Sequence, residues 1–217
     1  MIQQIIGGTF DDHAHIYRDP QGNYVPSLTQ ILTLTGLSNF FNGNAEVREN
    51  AMQRGSDVHA CIAMYARYGE IDPTWRTPQL DPYIDAALKF YTEIGFVPDP
   101  DFVEQPMIAK LRGYKYGVTA DVIGNRQYST VVELKCSDGQ FQPAWAIQLS
   151  GQAVARFGEH RGQAVQRWVV QLKSDGRYKV TQCDDHAGDL AVFQAALMTV
   201  HWRLRNGQRL WEVQNGY

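Results

Sequence analysis

Between residues 102 and 136 the chain changes its hydrophobic period, and this limits its architecture more than any other feature. FVEQPMIA, YGVTADVIG and STVVELKC are three consecutive runs of strand character, the last rich in β-branched residues. Helical spacing brackets them. Upstream, a helix expected from Asn44 to about Tyr68 sets Val58, Ile62 and Tyr65 three or four residues apart. A second has Asp81 as its expected N-cap, Pro82 in its first turn, Ile84, Leu88 and Tyr91 on one face, and Gly95 as its stop. Downstream, Pro143 opens a helix to about Phe157, and AVQRWVVQLK and RYKVTQC flank an SDG turn as a hairpin. A last helix runs from about Asp185 to Arg205, ended by Asn206 and Gly207. Helices, three strands, helix, two strands, helix: the order predicts a mixed α/β (α+β) fold, a central mixed β-sheet flanked by helices.

The segment before these elements reads as a lead-in. Residues 14–26 form two short strands around a DPQGN turn, and SLTQILTLTG is a short helix with Ser27 as N-cap and Gly36 as stop. SNFFNGN is a loop, and DPTWRTPQLDP is a linker between helices. With 217 residues, one domain spans 1–217: a lead-in over 1–43, a core over 44–160, and a C-terminal hairpin and helix over 161–217. Hydrophobic residues at 44% and charged residues at 20% exclude a disordered or fibrous chain. No apolar run approaches the roughly 20 residues of a membrane span. MIQQIIGGTFDD lacks the basic start and apolar run of an export signal, so a cytoplasmic protein is expected, bacterial or in a phage-infected host. Cys61, Cys136 and Cys183 are odd in number and widely spread, which argues for a reducing compartment and against zinc or an iron–sulfur cluster.

Net charge is −3 and its distribution is uneven. Residues 1–109 carry −8, residues 110–179 carry +6 and residues 180–217 carry −1. A basic middle segment in an acidic protein is what a face for an anionic partner requires, and an uneven scatter of solvated charges explains it equally well.

The chemistry concentrates in VVELKC. Glu133 and Lys135 are two apart on a strand, so they share a face. If the preceding strand pairs with it as a hairpin, Asp121 lies beside Glu133. Two carboxylates held together raise each other's pKa unless a cation sits between them, and oxygen ligands suit Mg²⁺ or Mn²⁺. A lysine on that face can hold a water or offset charge at a phosphate. The triplet alone is weak, because an acid-x-Lys triplet arises by chance about 0.6 times in a chain of this composition. Its weight comes from the motifs around it.

Asp121 followed by Glu133-Leu134-Lys135 resembles the PD-(D/E)XK nuclease superfamily, and in particular its RecB-like branch with phage-type exonucleases. That branch carries an RG-x-x-x-H element before the strands, matched by Arg54-Gly55-Ser56-Asp57-Val58-His59, and a Gln-Leu element after them, matched by Gln148-Leu149. Glu104 fits an acidic position on the strand before the aspartate, and YVPSLTQIL is similar to the lead-in of phage members. The likeness covers about residues 15–160. Two positions depart from the pattern. Gly117 lies four residues before Asp121 rather than two or three, leaving Val118 or Thr119 at the usual position, and Gln152 stands where a tyrosine is common.

The resemblance implies a restriction-endonuclease-like core, and a Mg²⁺-dependent deoxyribonuclease with Mn²⁺ as substitute. Asp121, Glu133 and the Leu134 carbonyl would be metal ligands, with His59 and Glu104 as further ones. Lys135 would position the nucleophile, and Gln148 would orient Lys135 or a phosphate. Arg54 could meet a phosphate, although a helix-surface arginine explains it as well, and the charge distribution, apart from the resemblance, offers Lys110, Arg112 and Lys115 of the basic segment as DNA contacts. The activity implied is an exonuclease of phage or prophage recombination, with a structure-selective endonuclease or an inactive DNA-binding module as alternatives. A single-strand annealing protein as partner is an analogy only, and oligomeric state stays open. His13 and His15 in DDHAH could share a strand face and bind metal, although an exposed strand explains them better. Trp145, Tyr114, Tyr116 and Phe141 could stack on bases, although core packing is the default for each.

Overall fold

The strands divide into two sheets by their position in the chain. The computed structural model describes residues 2–38, 45–124, 129–162 and 164–208. It begins with β1 (Ile2–Ile5), β2 (Gly8–Asp11), β3 (Ile16–Arg18) and β4 (Tyr24–Val25), paired antiparallel in that order. The sequence predicts only the last two. IQQI is exposed along most of its length, so β1 has no alternating pattern by which to recognise it. His13 and His15 belong to the turn between β2 and β3, with His15 at φ 53°, and not to a strand as expected.

Helix α1 (Leu28–Leu34) starts where the sequence predicts. Ser27 accepts from Gln30 N at 3.2 Å, while the Gln30 side chain accepts from Ser27 N at 2.9 Å, a reciprocal capping box. Helix α2 (Ala45–Tyr68) follows; its expected first residue, Asn44, and most of the SNFFNGN loop lie outside the described residues. The linker after it holds a single 3₁₀ turn at Pro73–Trp75. Helix α3 (Asp81–Ile94) is capped by Leu80 and not by Asp81, because the Asp81 carboxylate turns to Arg76 Nη1 at 3.2 Å. Gly95, at φ 62°, ends it as predicted.

The second sheet is mixed. Strands β5 (Pro98–Leu111), β6 (Tyr114–Gly124) and β7 (Thr130–Cys136) run antiparallel. The crossover helix α4 (Pro143–Gly162) then leads to β8 (Gln166–Leu172), parallel to β7, and β9 (Tyr178–Gln182) pairs antiparallel with β8. Gly158, at φ 78°, breaks α4 close to the Phe157 end predicted for it. The last helix is α5 (His186–Arg205), capped by Asp185. This is the mixed sheet with flanking helices that the sequence predicts. Among the described residues, no helix is long and apolar enough to cross a membrane.

Alternation along β7 assigns its two faces. Val132 and Leu134 join Val58, Ile62, Ile84 and Phe90 in the core beneath α2 and α3. Val131 packs with Leu149 and Ala153 of α4 on the opposite face, and Glu133 and Lys135 share that face. Each large apolar side chain buried in these layers contributes about 1.5–3 kcal/mol. The small N-terminal sheet docks on β6 through Gly117, where any Cβ would collide with the Tyr17 ring, and Gly117 N donates to Pro26 O at 2.9 Å. Arg167, fully buried on β8, fixes the start of α4. It pairs with Asp189 at 2.9 Å and donates to the carbonyls of Ala146 and Cys183.

Candidate metal centre

The middle strand of the β5–β6–β7 layer carries Asp121, and regular pairing lapses on both sides of it. The β5 ladder passes from Val103–Val122 to Gln105–Ala120, skipping Glu104 and Asp121, and Glu104 takes φ 47°, a left-handed conformation uncommon for a non-glycine residue. The β7 ladder ends at Val122–Val132, one step before Glu133 would meet Asp121. Asp121 Oδ2 fills part of this gap by accepting from Leu134 N at 2.7 Å. Three adjacent strands thus offer Glu104, Asp121 and Glu133 at one level.

Helix α2 brings His59 to the same place. Nδ1 lies 3.1 Å from Glu104 Oε1 and 3.6 Å from Asp121 Oδ1, while Nε2 lies 3.1 Å from the Leu134 carbonyl. His59, Glu104 and Asp121 each place one ligand atom within 4.8 Å of the others. Glu133 is held differently. Lys135 Nζ and Gln148 Nε2 donate to its Oε1 at 2.5 and 2.6 Å, and Gln152 Nε2 donates to Oε2 at 2.6 Å. The shared strand face predicted for Glu133 and Lys135 is therefore present, and Gln148 joins both residues through its contact with Lys135 at 3.4 Å.

The electrostatics are those of crowded carboxylates. Burial and then the charge of Glu133 push the Asp121 carboxyl well above the usual range, with His59 opposing them. Burial disfavours the His59 imidazolium, but Asp121, Glu104 and Glu133 outweigh it and lift its pKa to about 9. Burial likewise works against charged Lys135, and Glu133 and Asp121 reverse it, so its pKa rises. Three carboxylates face one lysine and one histidine. A divalent cation with neutral His59 would bring the group to neutrality, and its oxygen-rich donors with one imidazole fit Mg²⁺ or Mn²⁺.

A cleft of about 250 Å³ opens over Glu104, Asp121, Glu133 and Lys135, while His59 lines a neighbouring cleft of about 590 Å³ that shares Glu104. One wall holds Asp121, Glu133, Lys135, Gln148 and Gln152, and the other comes from Tyr17, Ser27 and Thr29. Tyr17 Oη and Thr119 Oγ1, both from residues that line it, lie 2.7 Å apart. Tyr17 carries no sequence signal, and it reaches the site with Ser27 and Thr29 only through the docking of the N-terminal segment on β6. His15 also lines the cleft, away from the histidine pair the sequence suggested, and burial lowers its pKa.

The predicted phosphate contacts lie elsewhere. Lys110, Arg112 and Lys115 sit at the far end of the β5–β6 hairpin, where Arg112 pairs with Glu159 at 2.7 Å and Lys115 with buried Asp19 at 2.6 Å. Arg54 packs over the Tyr83 ring, 5.2 Å from its centroid. Of the aromatic candidates, Tyr116 is buried against Phe193, so it cannot stack on a base. Tyr114 packs on His201, and Phe141 meets Trp145 edge-on. Trp145 lines a neighbouring cleft of about 270 Å³ that shares Thr29, Lys135 and Gln148 with the first.

No family model and no curated protein matches the chain. Among solved structures, one titled "Crystal structure of SSO0001" is similar at 18% identity, over 79% of this chain and 83% of that chain, with a TM-score of 0.33. Likeness at that level carries no argument about activity.

Proposed function

We propose that this protein is a Mg²⁺-dependent deoxyribonuclease, an exonuclease by first assignment, that hydrolyses phosphodiester bonds. The observation that carries the reading is the convergence of His59, Glu104 and Asp121 beside the Glu133–Lys135–Gln148 group, all but His59 lining one open cleft. Motifs 75 residues apart in sequence meet there within hydrogen-bond distance.

His59, Glu104 and Asp121 would hold the cation, with the Leu134 carbonyl and Glu133 close by. When bound, such an ion supplies Lewis acidity and lowers the pKa of a coordinated water. The protein's own groups do the rest. Asp121 is fixed by the Leu134 amide, so its orientation costs nothing on binding. Lys135 is protonated and cannot serve as a base. It offsets the negative charge that grows on the phosphoryl oxygens as water oxygen bonds to phosphorus and the P–O3′ bond breaks, the water giving up a proton to solvent and O3′ taking one from it, to leave a 5′-phosphate and a 3′-hydroxyl. Gln148 and Gln152 hold Glu133 and, through it, the lysine.

Incubation with linear and covalently closed circular DNA, in single- and double-stranded forms, with and without Mg²⁺, tests the reading. Mg²⁺-dependent loss of linear DNA with circles intact is expected. Nicked circles would assign an endonuclease instead. No cleavage of any form with Mg²⁺ or Mn²⁺ would refute the proposal.

A further inference from the structure

We propose that the outer face of α5 is an interface for a second copy of this chain, packed antiparallel about a two-fold axis. The inner face of α5 is already satisfied, with Leu190, Phe193, Ala196, Leu197 and Val200 buried. Its outer face is apolar as well. No Asp, Glu, Lys or Arg occurs from Leu190 to Trp202, and Thr199 is the one polar residue among the exposed positions of that stretch.

The exposed positions form a seam. Ala191, Ala195, Met198 and Trp202 follow one another at spacings of four, three and four, the a/d pattern of helices that pack side by side, and all four are exposed. Val192, 40% exposed, flanks them, and Met198 and Trp202 are 41% and 55% exposed. The seam is graded in size, with two alanines toward the N-terminal end and the two bulky residues toward the C-terminal end.

That gradient identifies the occupant. In a parallel pair, Trp202 would meet Trp202 and Ala191 would meet Ala191, leaving a clash at one end and a void at the other. In an antiparallel pair with the axis between Ala195 and Met198, Ala191 faces Trp202 of the second copy and Ala195 faces its Met198. Each bulky side chain then meets a small one, and the pattern is self-complementary, as a two-fold interface must be. Charge agrees. Asp184 and Asp185 are exposed at one end of the helix and Arg205 at the other, so the antiparallel arrangement brings opposite charges together at both ends. A 20-residue helix is about 30 Å long. One helix from each copy makes a small interface, so association should be concentration-dependent, with a Kd in the micromolar range. This inference stands apart from the nuclease reading.

Sedimentation velocity on the full chain, from about 1 to 300 µM to bracket such a Kd, is the test. A monomer–dimer transition is expected, and Met198→Glu should shift it at least tenfold to higher concentration, with an unchanged thermal midpoint at dilutions where both proteins are monomeric. Orientation is read by cysteine cross-linking. Ala191→Cys mixed with Trp202→Cys should give an oxidised heterodimer, while Trp202→Cys alone should not. A chain that stays monomeric throughout would overturn the proposal, as would a dimer unaffected by Met198→Glu or a Trp202→Cys homodimer. If removal of residues 209–217 exposed Trp202 further in a monomeric chain, the face would belong to the chain's own last residues, and the proposal would also fall.

Discussion

Gln152 donates its amide to Glu133 Oε2 at 2.6 Å, so the buried glutamate is held from α4 at both oxygens. The other end of that amide, Oε1, is buried without a hydrogen-bond partner. Gln152 is thus fixed by what it gives rather than by what it accepts. Replacing it with leucine removes one charge-assisted bond, which costs about 1–3 kcal/mol, part of it returned by losing the unsatisfied acceptor. Denaturant unfolding of Gln152→Leu should show a lower midpoint with unchanged slope. A variant as stable as the parent would show that Glu133 does not depend on this contact.

Lys135→Ala should fold normally, since Gln148 and Gln152 still hold Glu133. If the proposed function is right, its single-turnover cleavage rate should fall about 10²-fold or more, the scale of one lost electrostatic stabiliser. Lys135→Arg should rescue little, because a planar guanidinium cannot place one compact charge between Glu133 and Gln148. Mn²⁺ affinity by calorimetry should be preserved in both. Rates within about threefold of the parent would remove the lysine from the mechanism.

The pKa of His59 gives stability a direction with pH. Raised in the fold from 6.5 to about 9, it contributes stability that is complete below pH 6.5 and lost as pH climbs through 9. The raised Asp121 pKa acts in the same direction from lower pH. Metal-free protein should therefore melt at lower temperature at pH 9 than at pH 6. Mn²⁺ must displace the imidazolium proton, so its stabilisation should be larger at pH 9. Thermal scans at both pH values, with and without Mn²⁺, check this, and His59→Gln should flatten both trends.

Gly117→Ala should detach the small sheet from β6. The added Cβ collides with Tyr17 Cγ, and relieving that clash by backbone movement costs about 1–3 kcal/mol. Tyr17→Phe, which loses only the hydroxyl contact with Thr119, should cost about 1 kcal/mol. Chemical unfolding of the two variants side by side would distinguish them. An alanine variant no worse than the phenylalanine one would mean the docking is looser than this geometry.

The larger sheet and its helices were legible because their periods are local properties: VVELKC alternates, and Pro143, Gly95 and Asp185 mark ends by their own chemistry. The Asp121–Glu133 juxtaposition was legible for the same reason, since an antiparallel hairpin fixes the facing residues. Glu104 was ambiguous because its part depends on a left-handed backbone at one residue, and no residue type announces that. The contact of Tyr17 with Thr119 could not be read, because it spans 102 residues and rests on a two-sheet packing with no motif. Lys115 misled by its charge, which is spent on Asp19; the pairing holds that aspartate down to about 2. Charge counted along a chain does not say which charges are already matched.

The two walls of the cleft are separated by most of a domain's worth of synthesis. Tyr17, Ser27 and Thr29 leave the ribosome roughly 90 to 105 residues before Thr119 and Asp121, at a pace of about 5–20 residues per second. Until β5 and β6 emerge, Phe10, Tyr17 and Val25 have only one another, Ile5 and His15 to pack against. Pairings of such high sequence separation form late and slowly. Assembly therefore runs against the order of translation, with the sheet of β5, β6 and β7 forming the template onto which the older N-terminal strands close. A nascent chain arrested before residue 120 would lack the cleft, while still displaying the three aromatic and aliphatic side chains meant to bury its far wall.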